Sequence, residues 1–488
     1  MSKTDTAVID LGSNTIKLVI YKVREDGTFR QVQNESVHAQ LAENQDQTGF
    51  LDEQAMDRTI SALLKFRRIV DSMNLDCILP VATSAVREAA NGTEFIERML
   101  NETEFHFRVL STSEEALRSY FGAVRSLRIP SMIFFDLGGG SLEIVHSKDF
   151  AVEKVLSMPL GALRITQMYA DEPSGSFSDA AYDMMRARIS DLILHKDDLD
   201  MEPGTVLVGA GGTMRNMVKF HQSRRNYPFL KFHNYTMSRN AVSSICDMFQ
   251  KMTPKKIAKI KIINSERAKT ITAGTCVVDV LMESLGFGRL ATSAQALREG
   301  MLRMHIDYGE EYANQDVPKD LMRQSLYATT APDQLPAVME DILRILEEEH
   351  LSERERSILS HALAHTNISS ENSDDIISAM MGSDSHLSHR EQLISSMSVV
   401  EYGARGSLNK LADKFGSILR SGDKKLTRKI SALLAVWTAL DAARDDILIG
   451  YVPGGISLAD KSGSPLNGRI RAAAKWLSES LDIRVECD

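Results

Sequence analysis

A strand–turn–strand segment occurs twice in the chain. One copy runs from Ala7 to Val19 and the other from Ile133 to Val145, and each has an apolar stretch, an aspartate, a glycine-containing turn and a second, alternating stretch. This pattern predicts a β-hairpin. Because a duplicated unit constrains a fold more than any single motif does, we expect two related lobes that face each other.

Strand and helix patterns alternate around the two hairpins. Residues 52–73 have apolar side chains at helical spacing, and Cys77 to Ala82 reads as a short strand. Alternation of this kind indicates an α/β architecture. We assign residues 1–125 to lobe I and residues 126–306 to lobe II, and we expect the closing helix, residues 294–306, to pack with lobe I.

Beyond a polar linker at residues 307–320 the pattern changes to helices with little strand signal. The predicted helices span residues 336–350, 352–365, 389–402 and 424–445. Residues 452–468 are rich in Gly, Pro and Ser, which favours a loop. The sequence therefore predicts a separate, all-helical domain at residues 311–488.

Composition excludes several classes of protein. The chain of 488 residues has a net charge of −9, so a broad basic face for nucleic acid is not expected. Its four cysteines are scattered, without metal-ligand spacing, which fits a reducing compartment. The amino terminus does not resemble a secretory signal, and no apolar run approaches the length of a membrane helix. We therefore expect a cytoplasmic protein without membrane contact.

The turns of both hairpins are candidate phosphate sites. Glycine lets backbone N–H groups converge on an anion without side chains in the way. The alternative is an ordinary hairpin with a polar turn. The residues predicted to bind phosphate here are Gly12, Ser13, Asn14, Gly138, Gly139, Gly140 and Ser141.

Carboxylates stand beside these turns. Asp10 and Asp136 precede the turns, and Glu143 lies on the second arm of the later hairpin. A carboxylate beside a phosphate site repels the substrate unless a cation lies between them. Mg²⁺ is bound in this way, through one or two carboxylates, waters and substrate oxygens. We therefore predict a magnesium site at Asp10, Asp136 and Glu143.

A third glycine-rich turn joins a predicted strand to a helix. Its residues Gly211, Gly212 and Thr213 are candidates for a further phosphate contact, because helix N-termini favour negative charge. Close packing of the strand against the helix is the alternative.

Two further side chains suit phosphate chemistry. Arg87 opens a predicted helix and can grip a phosphate with two hydrogen bonds, or it can pair with Glu88 or Glu94 in solvent. Glu114 and Glu115 lie in the first turn of a capped helix, where acidic residues are common because the helix dipole favours them. The functional alternative is that one of them deprotonates an attacking water.

Together these segments resemble the exopolyphosphatase / guanosine pentaphosphate phosphohydrolase family of the sugar kinase–actin–heat-shock ATPase superfamily. The likeness covers residues 7–305. It is carried in order by Asp10–Asn14, Thr83–Ala89, Glu114–Ala116, Asp136–Glu143, Gly209–Thr213, Ile271–Gly274 and Leu297–Gly300. The resemblance implies two RNase-H-like, actin-like ATPase lobes around a cleft, and attack by water with the help of Mg²⁺.

The resemblance also implies roles for single residues. Glu115 would activate the water, Arg87 would bind phosphate, and Asp136 and Glu143 would serve the metal and water network. Polyphosphate is the leading substrate, ahead of guanosine pentaphosphate, because the sequence shows no recognisable guanine pocket. Two other classes stay open: a phosphotransferase, and a weakly catalytic nucleotide sensor that acts through partners.

The C-terminal domain resembles the HD-type metal-dependent phosphohydrolase domains of long family members. Such a domain needs a His, a His-Asp pair and a later Asp as metal ligands. Here His365 is followed by Thr366, residues 306–349 contain no histidine, and only Asp441 matches. We therefore predict a degenerate metal motif and a scaffold for a homodimer or for a long substrate.

Overall fold

The computed structural model describes residues 5–25, 27–73, 75, 77–172, 174–193, 199–309, 323, 335–345, 351–368, 370, 372–383, 385–441 and 446–487. The chain divides into two compact units, Met1–Tyr327 and Ala328–Asp488. Most of the predicted linker at residues 307–320 lies outside the described residues.

The first hairpin builds a five-stranded sheet with the order β3-β2-β1-β4-β5. Strands β1 to β3 are antiparallel, and β4 and β5 run parallel to β1 on its other side. The strands are Thr6–Leu11, Ile16–Val23, Phe29–Val37, Cys77–Ala82 and Arg108–Val109. The helices of this part are α1 Gln45–Thr48, α2 Glu53–Met73, α3 Ser84–Glu88 and α4 Gly92–Thr103.

The second hairpin builds a six-stranded sheet with the order β10-β11-β9-β6-β7-β8. Its strands β6 to β11 are Met132–Leu137, Leu142–Lys148, Ala151–Met158, Val206–Gly211, Thr236–Ser238 and Arg289–Thr292. Strands β6 to β8 repeat the antiparallel arrangement of β1 to β3, and β9 and β11 run parallel to β6 as β4 and β5 do to β1. The duplication and the α/β architecture predicted from the sequence are therefore confirmed.

The remaining helices of this unit lie between the strands of the second sheet or after its last strand, with one exception. They are α5 Thr112–Leu127, α6 Ala162–Tyr169, α7 Asp179–Leu192, α8 Gly212–Arg224, α9 Arg239–Gln250, α10 Pro254–Ile257, α11 Ser265–Ser284 and α12 Leu297–Tyr308. The exception is α5, which precedes β6 and packs its buried face on the second sheet. The predicted lobe boundary at residue 125 falls inside this helix, so packing assigns all of α5 to lobe II.

Helices α5 and α12 cross where both carry glycine. A Cβ atom on Gly300 would lie 1.8 Å from the carbonyl oxygen of Arg118, and one on Gly122 would lie 2.4 Å from that of Ala296. Glycine is therefore required at both positions. The buried side chains at the start of α12, such as Met301, join the core on the first sheet.

The C-terminal unit contains both helices and strands. Its helices α13 to α19 are Ala337–Ile345, Glu353–Leu363, Ser373–Gly382, His389–Gly403, Leu408–Lys414, Asp423–Asp441 and Gly468–Leu481, and its strands β12 to β14 are Ile447–Val452, Gly455–Asp460 and Arg484–Cys487. The strands form one sheet, so the prediction of an all-helical domain is wrong.

The prediction of a loop at residues 452–468 is wrong for its first part, which forms a turn and a strand. Pro453 and Gly454 form a tight turn, with Gly454 at φ +77°, and strand β13 follows at once. Ile456 and Leu458 alternate into the core of the unit and are buried completely. Gly455 and Ser457, on either side of Ile456, conceal this period of two from a reading based on composition.

Candidate active site

A cavity of about 170 Å³ lies between the two hairpin turns. The backbone N–H of Gly12 donates to the carbonyl oxygen of Thr15 at 3.2 Å, and the N–H of Gly138 donates to that of Ser141 at 3.1 Å. The two turns therefore share one hydrogen-bond pattern. The cavity is lined by all the residues predicted for these turns: Gly12, Ser13, Asn14, Gly138, Gly139, Gly140 and Ser141.

The turns of the two lobes touch each other. Ser13 Oγ lies 3.0 Å from Ser84 Oγ, and the turn of lobe II approaches both hydroxyls. A Cβ atom on Gly140 would lie 2.8 Å from Ser84 Oγ and 2.9 Å from Ser13 Oγ. A larger residue at Gly140 would push the lobes apart, so glycine at this position permits the closed cleft.

The third glycine turn lines the same cavity with two of its three predicted residues, Gly211 and Gly212. Gly211 has φ +100°, and a Cβ atom on Gly212 would lie 2.4 Å from a terminal guanidinium nitrogen of Arg267. Thr213 is buried and does not line the cavity, because its hydroxyl packs against Gly274. The alternative of close packing thus applies to Thr213.

The two glutamates at the start of α5 have different surroundings. Glu114 forms a capping box with Ser111 and an ion pair with Arg108, so it serves the helix N-terminus. Glu115 lines the cavity and accepts a hydrogen bond from Arg87 Nη1 at 3.0 Å. The structural explanation of an acidic first turn therefore holds for Glu114, and Glu115 is free for chemistry.

Glu115 has the electrostatics of a proton acceptor near neutral pH. Burial raises the pKa of Glu115 to about 7, against the lowering effect of Arg87, and the charges of Asp136 and Asp10 raise it further. The same nitrogen of Arg87 donates to the carbonyl oxygen of Leu110 at 2.7 Å. Arg87 is not among the residues that line the cavity, so its contact is with Glu115.

The three predicted metal ligands, Asp10, Asp136 and Glu143, all line the cavity. Burial raises the pKa of Asp136, although Ser119 Oγ donates to it at 3.1 Å. Burial and the neighbouring charge of Glu115 raise the pKa of Glu143 well above its ordinary value. Burial therefore makes the ionised forms of Asp136 and Glu143 unfavourable in this cavity.

Four basic side chains that the sequence analysis did not place in the site also line the cavity: Lys17, Arg215, Arg267 and Arg298. Burial, followed by the charge of Arg298, lowers the pKa of Lys17 to about 8. Burial also lowers the pKa of Arg215 and that of Arg267. Cations in this condition are stabilised when an anion joins them.

A signal for these arginines is present in the sequence. Arg215, Arg267 and Arg298 each lie in the first turn of a helix, α8, α11 and α12 respectively. A cation at a helix N-terminus is unfavourable because the macrodipole is positive there. Three such arginines at one cavity indicate that the position belongs to an anion.

Magnesium fits this donor set in one of the modes that it uses in proteins. Among the described residues, no three His, Cys, Asp or Glu side chains are grouped closely enough to hold an ion by themselves. Mg²⁺ needs only one or two carboxylates when phosphate oxygens and waters complete its shell. Burial disfavours the charged forms of Asp136 and Glu143 and so raises the pKa of each, and a bound cation would stabilise those charged forms.

Comparison with known proteins agrees with this geometry. The model of the Ppx/GppA phosphatase family matches residues 19–308. The chain belongs to that family. Exopolyphosphatase 1 of Mycobacterium leprae is 28% identical over 308 residues, which cover 62% of this chain and 89% of the relative.

Solved structures confirm the fold of the Ppx/GppA part of the chain. The Aquifex aeolicus member of the Ppx/GppA family is 25% identical with a TM-score of 0.52, and the match covers 63% of this chain and 98% of that one. An exopolyphosphatase from Cytophaga hutchinsonii has a TM-score of 0.58 at 22% identity, over 62% of this chain and 98% of that one.

The unit Ala328–Asp488 lies beyond the residues that match the Ppx/GppA model. His365 donates from Nδ1 to the carbonyl oxygen of His361 at 2.7 Å, and Asp441 is exposed at the end of α18. The degenerate metal motif stays a prediction. In the part of the chain that the structure describes, no helix has the length and apolar character needed to cross a membrane.

Proposed function

We propose that this Ppx/GppA family member hydrolyses the terminal phosphoanhydride bond of inorganic polyphosphate and releases orthophosphate. One observation carries the proposal: buried cations and a carboxylate with a pKa of about 7 line a single narrow cavity between two glycine turns. The cations suit a chain of phosphates, and the carboxylate suits activation of water. The cations and the carboxylate are both desolvated in the cavity, and the charge on each is unfavourable before substrate binds.

The phosphate end of the substrate is held by charge and by backbone. The cavity brings together three helix N-termini, each with an arginine in its first turn, and two turns with matching backbone geometry. Helix N-termini and guanidinium groups both favour phosphate oxygens. Lys17 adds a point charge on the second arm of the first hairpin.

Glu115 acts as the general base. A pKa of about 7 leaves a substantial fraction of Glu115 ionised at neutral pH and keeps it basic enough to take a proton. The water oxygen bonds to the terminal phosphorus while the bridging P–O bond breaks. The water proton goes to Glu115, and the shortened chain keeps the bridging oxygen and its electron pair. Arg87 positions Glu115 through its hydrogen bond.

Mg²⁺ is the metal that this wall suits. Asp136 and Glu143, with Asp10 opposite them, would hold it together with phosphate oxygens. When bound, the ion would neutralise the charge that develops on the phosphate oxygens.

The size of the cavity favours polyphosphate over guanosine pentaphosphate. At about 170 Å³ it is smaller than the roughly 300–1,000 Å³ of pockets that enclose drug-sized ligands, so a nucleoside would have to lie outside it. Several curated relatives are named exopolyphosphatases. Guanosine pentaphosphate remains the second candidate, because its terminal anhydride is the same chemical group.

Phosphate release tests the proposal directly. The full-length protein is mixed with Mg²⁺ and, in parallel, with short polyphosphate, long polyphosphate or guanosine pentaphosphate. We expect phosphate release without any acceptor, fastest from polyphosphate. A rate that requires an added acceptor would indicate a phosphotransferase, and binding without release would indicate a sensor. The expected homodimer is checked separately by light scattering of the eluting protein.

A further inference from the structure

A second, larger cavity lies beside the phosphate turns. This chamber of about 580 Å³ is lined on different sides by Asn44, Glu88, Arg164, Met168 and Arg188. A small neck lies between the chamber and the active-site cavity. The neck shares Ser13, Ser84, Gly139, Gly140 and Leu163 with the active-site cavity, and Asp46, Arg164 and Gln167 with the chamber.

We infer that the neck and the chamber are the exit route for orthophosphate. The inference rests on the proposed hydrolysis of polyphosphate. A polyphosphate that is shortened from its end can stay bound after each cleavage. It then blocks the opening of the active-site cavity through which it entered. The released phosphate is formed against Gly139 and Gly140, which are also the wall of the neck. A route behind the turns lets phosphate leave while the chain stays bound.

In the closed state the neck admits no more than water. Its volume is about 10 Å³, close to the roughly 10–15 Å³ that one water requires. However, its walls belong to different lobes: Ser13 and Ser84 come from lobe I, and Gly139 and Gly140 from lobe II. A small separation of the lobes therefore widens the neck without breaking either hairpin.

An ionic latch spans the lobes at this place. Arg164 on α6 of lobe II donates from Nε to Asp46 at 3.0 Å and from Nη2 to Glu88 at 2.6 Å, and both acceptors belong to lobe I. Arg164 lines both the neck and the chamber. Exchange of these bonds with water would let the lobes part, so the latch sets how often the neck opens.

The charges that line the chamber favour passage of phosphate over tight binding. Arg164 and Arg188 are matched by Asp46 and Glu88, so the wall has no excess of positive charge. The active-site cavity also balances its four basic side chains with four carboxylates, but there burial lowers the pKa of Lys17, Arg215 and Arg267, so an anion gains more by joining them. A phosphate that enters the chamber therefore finds hydrogen-bond donors but no strong electrostatic attraction, and it can pass on to solvent.

A bulky side chain in the neck tests the route. Gln167 is exposed and lines the neck and the chamber, whereas its neighbour Met168 is exposed and lines only the chamber. Gln167→Trp, Gln167→Ala and Met168→Trp are mixed rapidly with polyphosphate and Mg²⁺. Chain cleavage is measured by acid quench, and free phosphate by a fluorescent phosphate sensor. In Gln167→Trp we expect an unchanged first cleavage and about tenfold slower appearance of free phosphate, as when product release limits turnover.

Wild type, Gln167→Ala and Met168→Trp should release phosphate as fast as they cleave. The route is overturned if Gln167→Trp also releases phosphate at the rate of cleavage, or if Met168→Trp shows the same delay. It is also overturned if Gln167→Trp slows the first cleavage as much as the release. Absence of cleavage in the wild type with every substrate would instead refute the proposed function.

Discussion

The two hairpins at the active site have the same backbone arrangement and differ in charge at one paired position. Asp10 of the first hairpin lies opposite Lys17, whereas Asp136 of the second lies opposite Glu143. The first hairpin therefore carries a balanced pair, and the second carries two carboxylates. Both pairs line one cavity.

This difference separates two tasks that a symmetric duplication could not perform. The first hairpin adds no net charge beside its turn, so a phosphate can approach it. The second hairpin places two carboxylates in the cavity; burial raises the pKa of Asp136 and that of Glu143, and the charges of Asp10 and Glu115 respectively add to the effect, so the proposed cation would stabilise their ionised forms. Under the proposed function, this lysine–glutamate difference would place the anion on one side of the cavity and the metal and water on the other.

The largest effect is expected at the base. Glu115→Gln keeps the shape of the side chain and removes its basicity, so turnover should fall by about 10²-fold or more while substrate binding survives. The measurement is steady-state phosphate release together with equilibrium binding of polyphosphate. Glu114→Gln is the matched control, because Glu114 caps the helix. It should lower thermal stability and leave turnover within a few-fold; a control that loses as much turnover as Glu115→Gln would remove the assignment.

The next effect compares the two aspartates. Asp136→Asn should raise the Mg²⁺ concentration for half-maximal activity by about 10- to 100-fold, in line with losses at metal-site positions. Asp10→Asn should raise it less, because Lys17 lies opposite Asp10 and Arg298 lies 3.9 Å from it. Titration of activity with Mg²⁺ checks both. Equal shifts in the two variants would contradict the division of tasks, and unchanged curves would exclude both residues as metal ligands.

Much of the fold and part of the site could be predicted from the sequence. The duplicated hairpins fixed the pairing of strands, since each copy holds its own turn and alternation. The phosphate turns followed from local motifs, and the choice of Glu115 over Glu114 followed from the family resemblance. Lys17 and the first-turn arginines, such as Arg215, are adjacent only after distant helices converge on one cavity. That convergence is a tertiary property, and the sequence offers only the unfavourable position of each arginine as a signal.

For two residues predicted to contact phosphate, the sequence allowed a second local explanation that was equally valid. Thr213 follows two glycines that line the cavity, yet its side chain packs against Gly274. Arg87 is predicted to bind phosphate, and the structure shows its hydrogen bond to Glu115, a role the sequence did not indicate. In both cases the residue type suits either role, and only the direction of the side chain decides.

A pH profile gives the third test. Since the pKa of Glu115 is about 7 and the base must be ionised, kcat/KM should fall about tenfold for each pH unit well below 7. Asp136 raises this pKa and Arg87 lowers it. The acidic limb should therefore move to lower pH in Asp136→Asn and to higher pH in Arg87→Gln. Limbs that move in the same direction in both variants would show that Glu115 is not the titrating group.

The smallest effect is on stability, and it addresses the lysine–glutamate pair itself. The pKa of Lys17 is about 8 in the folded protein against 10.5 in a free side chain. Between these pH values the unfolded chain binds the extra proton, so stability rises with pH, and below pH 8 the charged Lys17 destabilises the unliganded fold. Lys17→Met should thus raise Tm by a few degrees at pH 7 in calorimetry, with a smaller gain at pH 9.5.

Glu143→Gln supplies the opposite slope. The pKa of Glu143 lies well above 4.5 in the folded protein, so the folded state holds its proton longer and stability falls as pH rises from there. Both variants should be more stable than wild type at pH 7, but the advantage of Glu143→Gln should shrink as pH falls toward 4.5, whereas that of Lys17→Met shrinks as pH rises. Added phosphate should raise Tm less in Lys17→Met than in Glu143→Gln, because both side chains line the cavity and only the lysine carries a charge that attracts an anion. Parallel slopes, or a loss of stability at pH 7 in both, would mean that the charge difference between the hairpins does not govern this cavity.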